Sequence, residues 1–570
     1  MKPLFFLFVL FLNFSVYSQG AYVPLNTESY RMIDRFDIRY NKILPIPHSS
    51  VKPYNRAAVA KYAEVMYNSN IDLKKADIHN LKYLMNDNAE WVDSFSTKNK
   101  PLLKFFYREK ASLLHVSTKA FELRINPVVD FEYGAEFGNK PVYMSSKGFE
   151  LRATLMKKLS LYTFLTDNQT RLPSFMRTGA IKGRFANLPE NAYWKEFKDE
   201  GQDYFKARGY LSFNVLKHID VQFGYDKQFI GNGYRSLYLS DNAAPFLFLK
   251  TNLKVWKINY QSIWGEMIGQ YKRGGDRLLD KKYAVFHHLS FNVTKWLDVG
   301  VFEGVSLTRS NQFEWHYLIP IIFYRSIEQS LGSADNSVIG LDFKANFLRH
   351  FQLYGQFVLD EFNFSHIRAN DKWWANKFGV QAGVKYIDVA NVPNLDLQLE
   401  FNMVMPYTYT HYSKPATDST EGKQIANYTH YNQALAHPLG ANFTEFVALV
   451  NYQPVQLPNL NISLKYINAV VGVDSMKLDG TLTNYGGDIF TATNGGNTVE
   501  NEFGNYLRQG NAHRINMFEL KATYQFWHNM YGILKVGTRS LNSDIDWEDN
   551  TSTWFSLGVR INASNRNWHF

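Results

Sequence analysis

The chain has 570 residues and contains no cysteine. That absence excludes disulfides, thiolate metal sites and an acylated lipoprotein cysteine. Beyond the first twenty residues, no apolar run approaches the roughly 18 residues that a membrane-spanning helix needs. The mean hydropathy of −0.32 agrees with this. A helical membrane protein is therefore excluded.

Aromatic residues are abundant, because 36 Tyr, 44 Phe and 12 Trp make up 16% of the chain. Abundant aromatics without long apolar runs are typical of a transmembrane β-barrel with interfacial girdles. The net charge of +10 is spread along the chain. It favours an anionic partner such as lipopolysaccharide or an acidic glycan. A nucleic-acid partner does not suit an exported protein.

The first residues predict export. Lys2 precedes an apolar stretch from Leu4 to Tyr17, and Val16 and Ser18 occupy the positions before a cleavage site. We expect a signal peptide over residues 1–18.

Residues 19–118 predict a small α-helical region. Val59, Tyr62 and Met66 recur at helical spacing, with Asn55 as a candidate N-cap. A second helix is expected near Asp77 and a third over residues 101–111.

From about residue 119 the apolar pattern has a period of two and predicts 18 strands. Most reach the ~9–11 residues that a tilted transmembrane strand requires. Tight turns alternate with long loops, the longest being 168–203, 309–337, 406–441 and 472–513. This asymmetry predicts an all-β outer-membrane barrel of about 18 antiparallel strands over 119–570. Because the strand count is even, both barrel ends and the helical region are expected in the periplasm.

Two further patterns concern the tight-turn end and the C-terminus. Aromatic residues at the tight turns predict a periplasmic-side girdle, and they are Trp256, Trp296, Phe351 and Trp527. Trp568 and Phe570 share a parity, as in the targeting signal that barrel-insertion machinery recognises. Ile561 and Trp568 have opposite parity, so we expect a bulge or bend between them.

Catalytic and metal-binding signals are weak, and we expect neither enzymatic activity nor a cofactor. His288 and Ser290 have the spacing of an outer-membrane phospholipase pair, but the pattern turns both toward the lumen. Asp544, Asp546 and Glu548 have a spacing that could hold calcium, yet they lack the glycine and later glutamate of an EF-hand loop. Inward charges of both signs predict a cross-lumen network rather than a selectivity ring.

Three stretches carry a family resemblance: KQFIGNGYRSLYLSDNAAPFLFLK (227–250), FEWHYLIPIIFYRSIEQSLGSADNSVIGLDF (313–343) and AHPLGANFTEF (436–446). They resemble the Wzi capsule-assembly family, and most of all its Bacteroidetes branch with the gliding-motility proteins called RemB. The resemblance implies an outer-membrane, lectin-like barrel that holds surface polysaccharide. The candidate polysaccharide-binding residues at matching positions are Arg235, Asp241, Asn242, Arg325, Glu328, Asp335 and Asn336.

Aromatic side chains in the long loops are further candidates, either for stacking on sugars or for interfacial anchoring. They are Trp194, Trp315, Trp373, Trp374, Tyr407, Tyr409 and Tyr412. Two other functions stay open at this point. The protein could be a subunit of a larger outer-membrane complex for secretion or barrel assembly, or a diffusion channel.

Overall fold

The computed structural model describes residues 20–40, 48–69, 72–92, 100, 102, 104–177, 190–216, 218–269, 278–332, 335–411, 426–476, 482–491, 499–545 and 548–567. The expected signal peptide, Asp546, Tyr412, Trp568 and Phe570 lie outside these residues.

A closed antiparallel barrel forms the body of the molecule. Its wall strands are β1 (Phe121–Glu136), β2 (Val142–Leu155), β3 (Leu159–Arg171), β4 (Gly201–Leu216), β5 (Ile219–Asp226), β6 (Phe246–Val255), β7 (Ile258–Ile268), β8 (Lys281–Asn292), β9 (Leu297–Ser306), β10 (Asn336–Phe347), β11 (Phe351–Glu361), β12 (Lys377–Tyr386), β13 (Leu395–Val404), β14 (Phe443–Tyr452), β15 (Leu460–Val473), β16 (Asn511–Trp527), β17 (Met530–Ser543) and β18 (Asn550–Ile561). Each strand pairs with the next in the chain. Pairing of β18 with β1, from Trp554 opposite Glu136 to Ile561 opposite Val129, closes the wall. The predicted 18-stranded barrel is confirmed.

Shorter helices and strands connect the wall strands and lie at the two ends of the barrel. The helices are α1 (Glu28–Tyr40), α2 (Arg56–Tyr67), α3 (Lys75–Asp87), α4 (Ser174–Arg177), α5 (Arg325–Leu331) and α6 (Phe364–Ala369), with 3-10 turns at Ala89–Trp91, Trp315–Leu318 and Val389–Asn391. The short strands are Val51–Lys52, Leu114–Ser117, Lys195–Phe197, Phe229–Ile230, Thr429–His430, Gln433–Ala434, Ser475–Met476 and Leu482–Thr483. Over the described ranges, no helix combines the length and apolarity needed to cross a bilayer.

The two faces of the wall differ as a barrel requires. On β17, Leu534 and Val536 are exposed on the outside. Lys535, between them, points inward, and its Nζ lies 2.6 Å from Glu132 Oε1 on β1. Lys465 on β15 and Glu519 on β16 form a similar luminal pair at 2.9 Å. The expected mixed-sign network inside the barrel is confirmed.

The three N-terminal helices close the tight-turn end of the barrel. Lys344 Nζ, on the inner face of β10, donates to Asp37 of α1 at 2.8 Å. Tyr83 of α3 reaches the tight turn between β16 and β17, where its ring lies 4.7 Å from that of His528. The helices share an apolar core of their own, which includes Val59, Tyr62, Met66, Leu81 and Leu84.

The sequence predicted two of these helices and missed the third. Asn55 caps α2 as expected, its side chain accepting from Ala58 N. α1 was not predicted. The helix expected over 101–111 is wrong, because described residues 102 and 104–111 form turns and isolated bridges. Positive φ angles at Lys104 and Tyr107 are incompatible with a helix there.

The chain leaves the wall where the last strand ends. Asn562 adopts a positive φ of 49°, which turns residues 562–567 into the lumen. There Arg566 donates to Ser146 at 2.6 Å and to the Tyr204 hydroxyl at 2.9 Å. The predicted bend after Ile561 is therefore present up to residue 567.

Candidate functional site

A loop between β5 and β6, residues 227–245, folds into the lumen and is called the luminal loop below. The backbone N–H groups of Tyr234 and Arg235 donate to the Glu400 carboxylate at 2.6 and 3.0 Å. Gly233 makes this approach possible, since a Cβ there would lie 2.5 Å from Glu400 Oε2. The Arg235 guanidinium grips Glu445 on β14, with Nε and Nη2 donating at 3.2 and 2.8 Å.

Asp241 and Asn242, at the other end of the luminal loop, also serve intramolecular contacts. Asn26 donates to Asp241 at 2.5 Å. Asn242 donates to the Ala434 carbonyl at 3.0 Å. Asp241 and Arg235 line a cavity of about 320 Å³ between the luminal loop and α1.

The cavity lining carries both signs of charge. Glu28 on α1 is one member of it. Burial opposes the charge on Glu28, but Arg560, Lys521 and Arg31 together outweigh that effect and lower its pKa to about 2. Burial lowers the pKa of Lys52 on the opposite rim to about 8. Such a cavity suits polar solutes or water better than apolar ligands.

The remaining predicted residues lie in the loop between β9 and β10, apart from Asn336, which is the first residue of β10. Asp335 is buried and accepts from Thr308 N at 2.8 Å and from the Tyr317 hydroxyl at 2.7 Å. Asn336 donates to the carbonyl of Ala426 at 3.1 Å. Glu328 is buried on α5. Arg325 begins that helix, and its side chain lies outside the described part of the structure.

The seven predicted residues thus fall into two groups, one inside the lumen and one on the β9–β10 loop. The described polar members hold loops in place through contacts with the protein itself. A direct contact between any of them and a glycan stays a prediction.

The long loops over β11 to β16 join into a cover, called the lid below. It comprises described residues 362–376, 405–411, 437–442, 484–491 and 499–510. Tyr407 N donates to Gly486 O at 2.9 Å, and Trp374 N donates to Glu502 O at 3.0 Å. Asn442 is the central hub, because its Nδ2 donates to the carbonyls of Gly472 and Gln509 at 3.0 and 2.8 Å.

An aromatic surface lies on the lid. Trp373 stacks on His366 of α6 at a centroid distance of 4.6 Å and contacts Trp374 at 6.0 Å. Phe503, 46% exposed, lies 5.7 Å from His366. Tyr407 supports the cluster from below, its ring 5.8 Å from that of Trp374. Burial raises the pKa of the Tyr407 hydroxyl, which keeps it protonated as a donor to Asn484 O.

Polar groups border the rings and fix their positions. Asp371 accepts from the Trp373 backbone N–H at 3.2 Å and lies 2.6 Å from His366 Nδ1. Lys377 Nζ sits 4.9 Å from the centroid of the Trp374 ring. Lys377 is buried beneath the ring, whereas the side chains of Asp371 and His366 are each 29% exposed beside it. Partly exposed rings next to such polar groups fit a ligand that has both apolar C–H faces and hydroxyls.

The structure separates the aromatic candidates by place. Trp373 and Trp374 lie together. Tyr407 is buried beneath them, and Tyr409 is buried against the luminal loop. Trp315 lies on another surface and is 75% exposed. His366 and Phe503 were not predicted. The run NEFGNY at 501–506 offered a local signal, an aromatic-rich loop segment, but gave no hint that it lies beside Trp373.

The residues with a catalytic or calcium-binding spacing make contacts with other side chains of the protein. His288 Nε2 lies 2.8 Å from Asp342, while Ser290 contacts His48 at 2.9 Å, so both face the lumen as expected and do not pair with each other. Asp544 pairs with Arg514 at 2.8 Å. Among the residues whose placement is described, no group of three or more His, Asp or Glu side chains has the geometry of a metal site.

The closed wall, its apolar exterior and its charged interior define an outer-membrane β-barrel. The family model of the capsule assembly protein Wzi matches residues 128–550. The chain belongs to that family. No curated protein matches the sequence.

A solved structure shares this fold. The structure of Wzi from Escherichia coli, described as an outer-membrane protein involved in group 1 capsule assembly and a carbohydrate-binding β-barrel, superposes with a TM-score of 0.57 at 12% identity, covering 96% of this chain and 100% of that one. OprD from Pseudomonas aeruginosa, at 10% identity, covers 77% of this chain and 94% of its own with a TM-score of only 0.41.

Proposed function

We propose that the protein is a non-enzymatic lectin of the outer membrane that binds surface polysaccharide through the aromatic surface of the lid. The C–H face of a pyranose ring packs on an aromatic ring, and its hydroxyls need the polar groups that border such rings. Trp373, Trp374 and Phe503 provide the first, and the partly exposed Asp371 carboxylate provides the second.

The orientation follows from the same proposal. Short turns face the periplasm and long loops face the exterior in outer-membrane barrels. The helices α1 to α3 would then lie on the periplasmic side, and the lid would face the polysaccharide outside the cell. Membership of the Wzi family supports capsule assembly as the setting. A gliding-motility role like that of RemB is a finer proposal, for which only the resemblance of the three stretches speaks.

The decisive experiment measures binding of the detergent-purified barrel to its own organism's surface polysaccharide. Trp373→Ala removes a partly exposed anchor ring, and loss of such an anchor typically costs about 2 kcal/mol, roughly thirtyfold in Kd. Trp315→Ala is the matched control, since it removes an exposed tryptophan from a different surface. Heat-modifiable migration on a gel establishes that each variant remains a closed barrel.

Three outcomes would contradict the proposal in different ways. Equal loss in both variants would show a general effect of tryptophan removal. Binding unchanged by Trp373→Ala but lost in a variant of Glu328 and Asp335 would place the site on the β9–β10 loop. No binding by the wild-type barrel would favour the envelope-complex alternative, which co-purifying outer-membrane proteins would then test.

The diffusion-channel alternative has less support. The luminal loop and the N-terminal helices meet inside the barrel, where Val51 and Lys52 pair as a short strand with Ile230 and Phe229. The described residues thus occupy the lumen from both ends, which is evidence against a wide channel.

A further inference from the structure

The loop between β9 and β10 does not cover the mouth of the barrel. Its described residues 313–331, called the strap below, pack against the outward face of β7, β8 and β9. Trp264 of β7 donates from Nε1 to the Tyr317 carbonyl at 2.7 Å. Tyr317 and Tyr324 are buried in one apolar cluster with Val285 and Val305 of the wall.

Alternation along β9 identifies the face on which the strap lies. Phe302 points inward, because it stacks on Tyr238 of the luminal loop at 4.4 Å. Glu303 is therefore turned outward, and it stands opposite Ile339 of β10, which is exposed on the outer wall. The next outward residue of β10 is Leu341, also exposed.

Glu303 occupies a depth at which a bare carboxylate is costly. It lies six residues after Leu297, the first residue of β9. At ~3.3 Å per residue and a strand tilt of ~40°, that places it roughly 15 Å above the tight-turn end of an apolar band ~25 Å tall. The wall thus carries an ionisable group at lipid level.

The strap covers that carboxylate. Glu303 is 1% exposed and accepts from the backbone N–H groups of Phe323 and Tyr324 at 2.6 and 2.7 Å. Beside it, His287 of β8 is packed edge-on against the Tyr324 ring at 4.8 Å. A polar patch on the outer wall is in this way buried under protein rather than under lipid.

The other side of the strap is apolar and exposed. Over residues 318–323 it exposes Leu318, Ile319, Pro320, Ile321 and Phe323. The exposed polar side chains of the strap, His316, Ser326, Gln329 and Ser330, lie on either side of this apolar stretch in the sequence. This surface continues the apolar exterior that Ile339 and Leu341 present on the neighbouring strand.

We propose that the strap is a membrane-embedded loop, anchored on Glu303 and immersed in the acyl chains of the outer leaflet. Lipid is the occupant because the strap lies beside the lipid-facing wall and at its depth, and because the exposed side of residues 318–323 is as apolar as that wall. Several polar backbone groups of the strap find partners within the protein, as an embedded segment needs. The single Tyr324 hydroxyl, for example, is shared between the Tyr317 and Ile319 carbonyls at 2.8 and 2.6 Å.

Because the chain contains no cysteine, a single introduced cysteine carries one nitroxide label. Ile321→Cys reports on the strap, Leu341→Cys is the lipid reference, and Asp199→Cys, at a position 82% exposed in a loop, is the water reference. In proteoliposomes, oxygen relaxes the spin of a label that lies in lipid, whereas a polar nickel chelate relaxes the spin of a label that lies in water. The two reagents together therefore show which surroundings a label has. We expect the label at 321 to match that at 341, reached by oxygen and not by nickel.

Access of nickel at 321 equal to that at 199 would overturn the proposal, and so would exclusion of both reagents, which would indicate a covering protein. The anchor is tested in Glu303→Gln, which keeps the shape but leaves only one oxygen to accept from the two N–H groups. We expect nickel to gain access at 321 in that variant and not in Glu361→Gln, a matched change at the end of β11, where Glu361 pairs with Lys377 at 3.1 Å. Unchanged access of nickel to the label at 321 in Glu303→Gln would refute the anchoring role. The labels in the protein that keeps Glu303 test independently whether the strap is embedded.

Discussion

Arg35 on α1 links the helical region to the barrel through two buried ion pairs. Its guanidinium is 1% exposed and contacts Asp396, at the start of β13, and Asp388, in the turn before it, the latter at 2.5 Å. Asp77 of α3 lies 3.8 Å away. Removing the arginine would leave these carboxylates facing one another in a buried site.

The expected cost follows from that burial. Breaking a buried ion pair from one side costs about 3–5 kcal/mol, because the remaining charges keep their desolvation penalty and lose their attraction. Arg31, one turn earlier, is the matched control. It lies 3.9 Å from Asp396 and its side chain is 20% exposed, so Arg31→Ala should cost about 1 kcal/mol or less.

The assay follows the helical far-ultraviolet signal during urea titration, while gel migration reports on the barrel. We expect Arg35→Ala to detach α1 to α3 at a lower urea concentration with the wall still closed, and Arg31→Ala to behave nearly as wild type. Equal effects of the two substitutions, or loss of the barrel together with the helices in Arg35→Ala alone, would refute the view that Arg35 is a local latch.

Three further predictions concern other links. The pKa of Glu28 is about 2 in the folded protein, below the ~4.3 of an unfolded glutamate. Its contribution to holding α1 is therefore complete above about pH 5 and is lost as the pH falls toward 2. Urea titrations across this range should show the loss of stability, and Glu28→Gln should make the stability of the helical region less dependent on pH. Asn55→Ala removes the cap of α2 and should lower helical-region stability by about 1 kcal/mol, whereas Asn68→Ala, at the other end of α2, should not. Arg235→Ala frees the luminal loop from Glu445, and planar-bilayer recordings should show larger or more frequent openings than wild type; identical recordings would show that other contacts hold the loop closed.

The wall could be predicted because its information is local. Each strand has one apolar and one polar side, and that alternation is visible in segments of about ten residues such as Phe555 to Ile561. The alternation of tight turns and long loops then fixed the strand order.

Helix α1 escaped prediction for a physical reason. Pattern reading assumes that a buried helix face is apolar, but the buried face of α1 includes Arg35 and Asp37 beside Met32 and Phe36. Those charges face the ionic interior of the barrel, where Asp37 accepts from Lys344 and Arg35 pairs with Asp396. Inside a membrane barrel the interior is the polar side, so the usual rule is inverted and a charged helix can be fully buried.

The same inversion explains why the predicted site residues have structural contacts. Arg235, Asn242 and Asp335 lie in polar, glycine-containing loops that read as ligand-binding segments in any soluble protein. Here the polar lumen and the loop interiors supply their partners. Arg235 forms an ion pair with Glu445, Asn242 donates to the Ala434 carbonyl, and Asp335 accepts from Thr308 N. The aromatic surface of the lid shows the opposite case. Its parts are separated by more than a hundred residues, as the hydrogen bond from Asn505 to Lys372 illustrates, and only the closed wall brings the two loops together. In this barrel, a polar loop residue is therefore weak evidence for a ligand site. An exposed aromatic ring that is held by contacts across distant loops is stronger evidence, because the polar interior of the barrel gives no reason for a ring at that place.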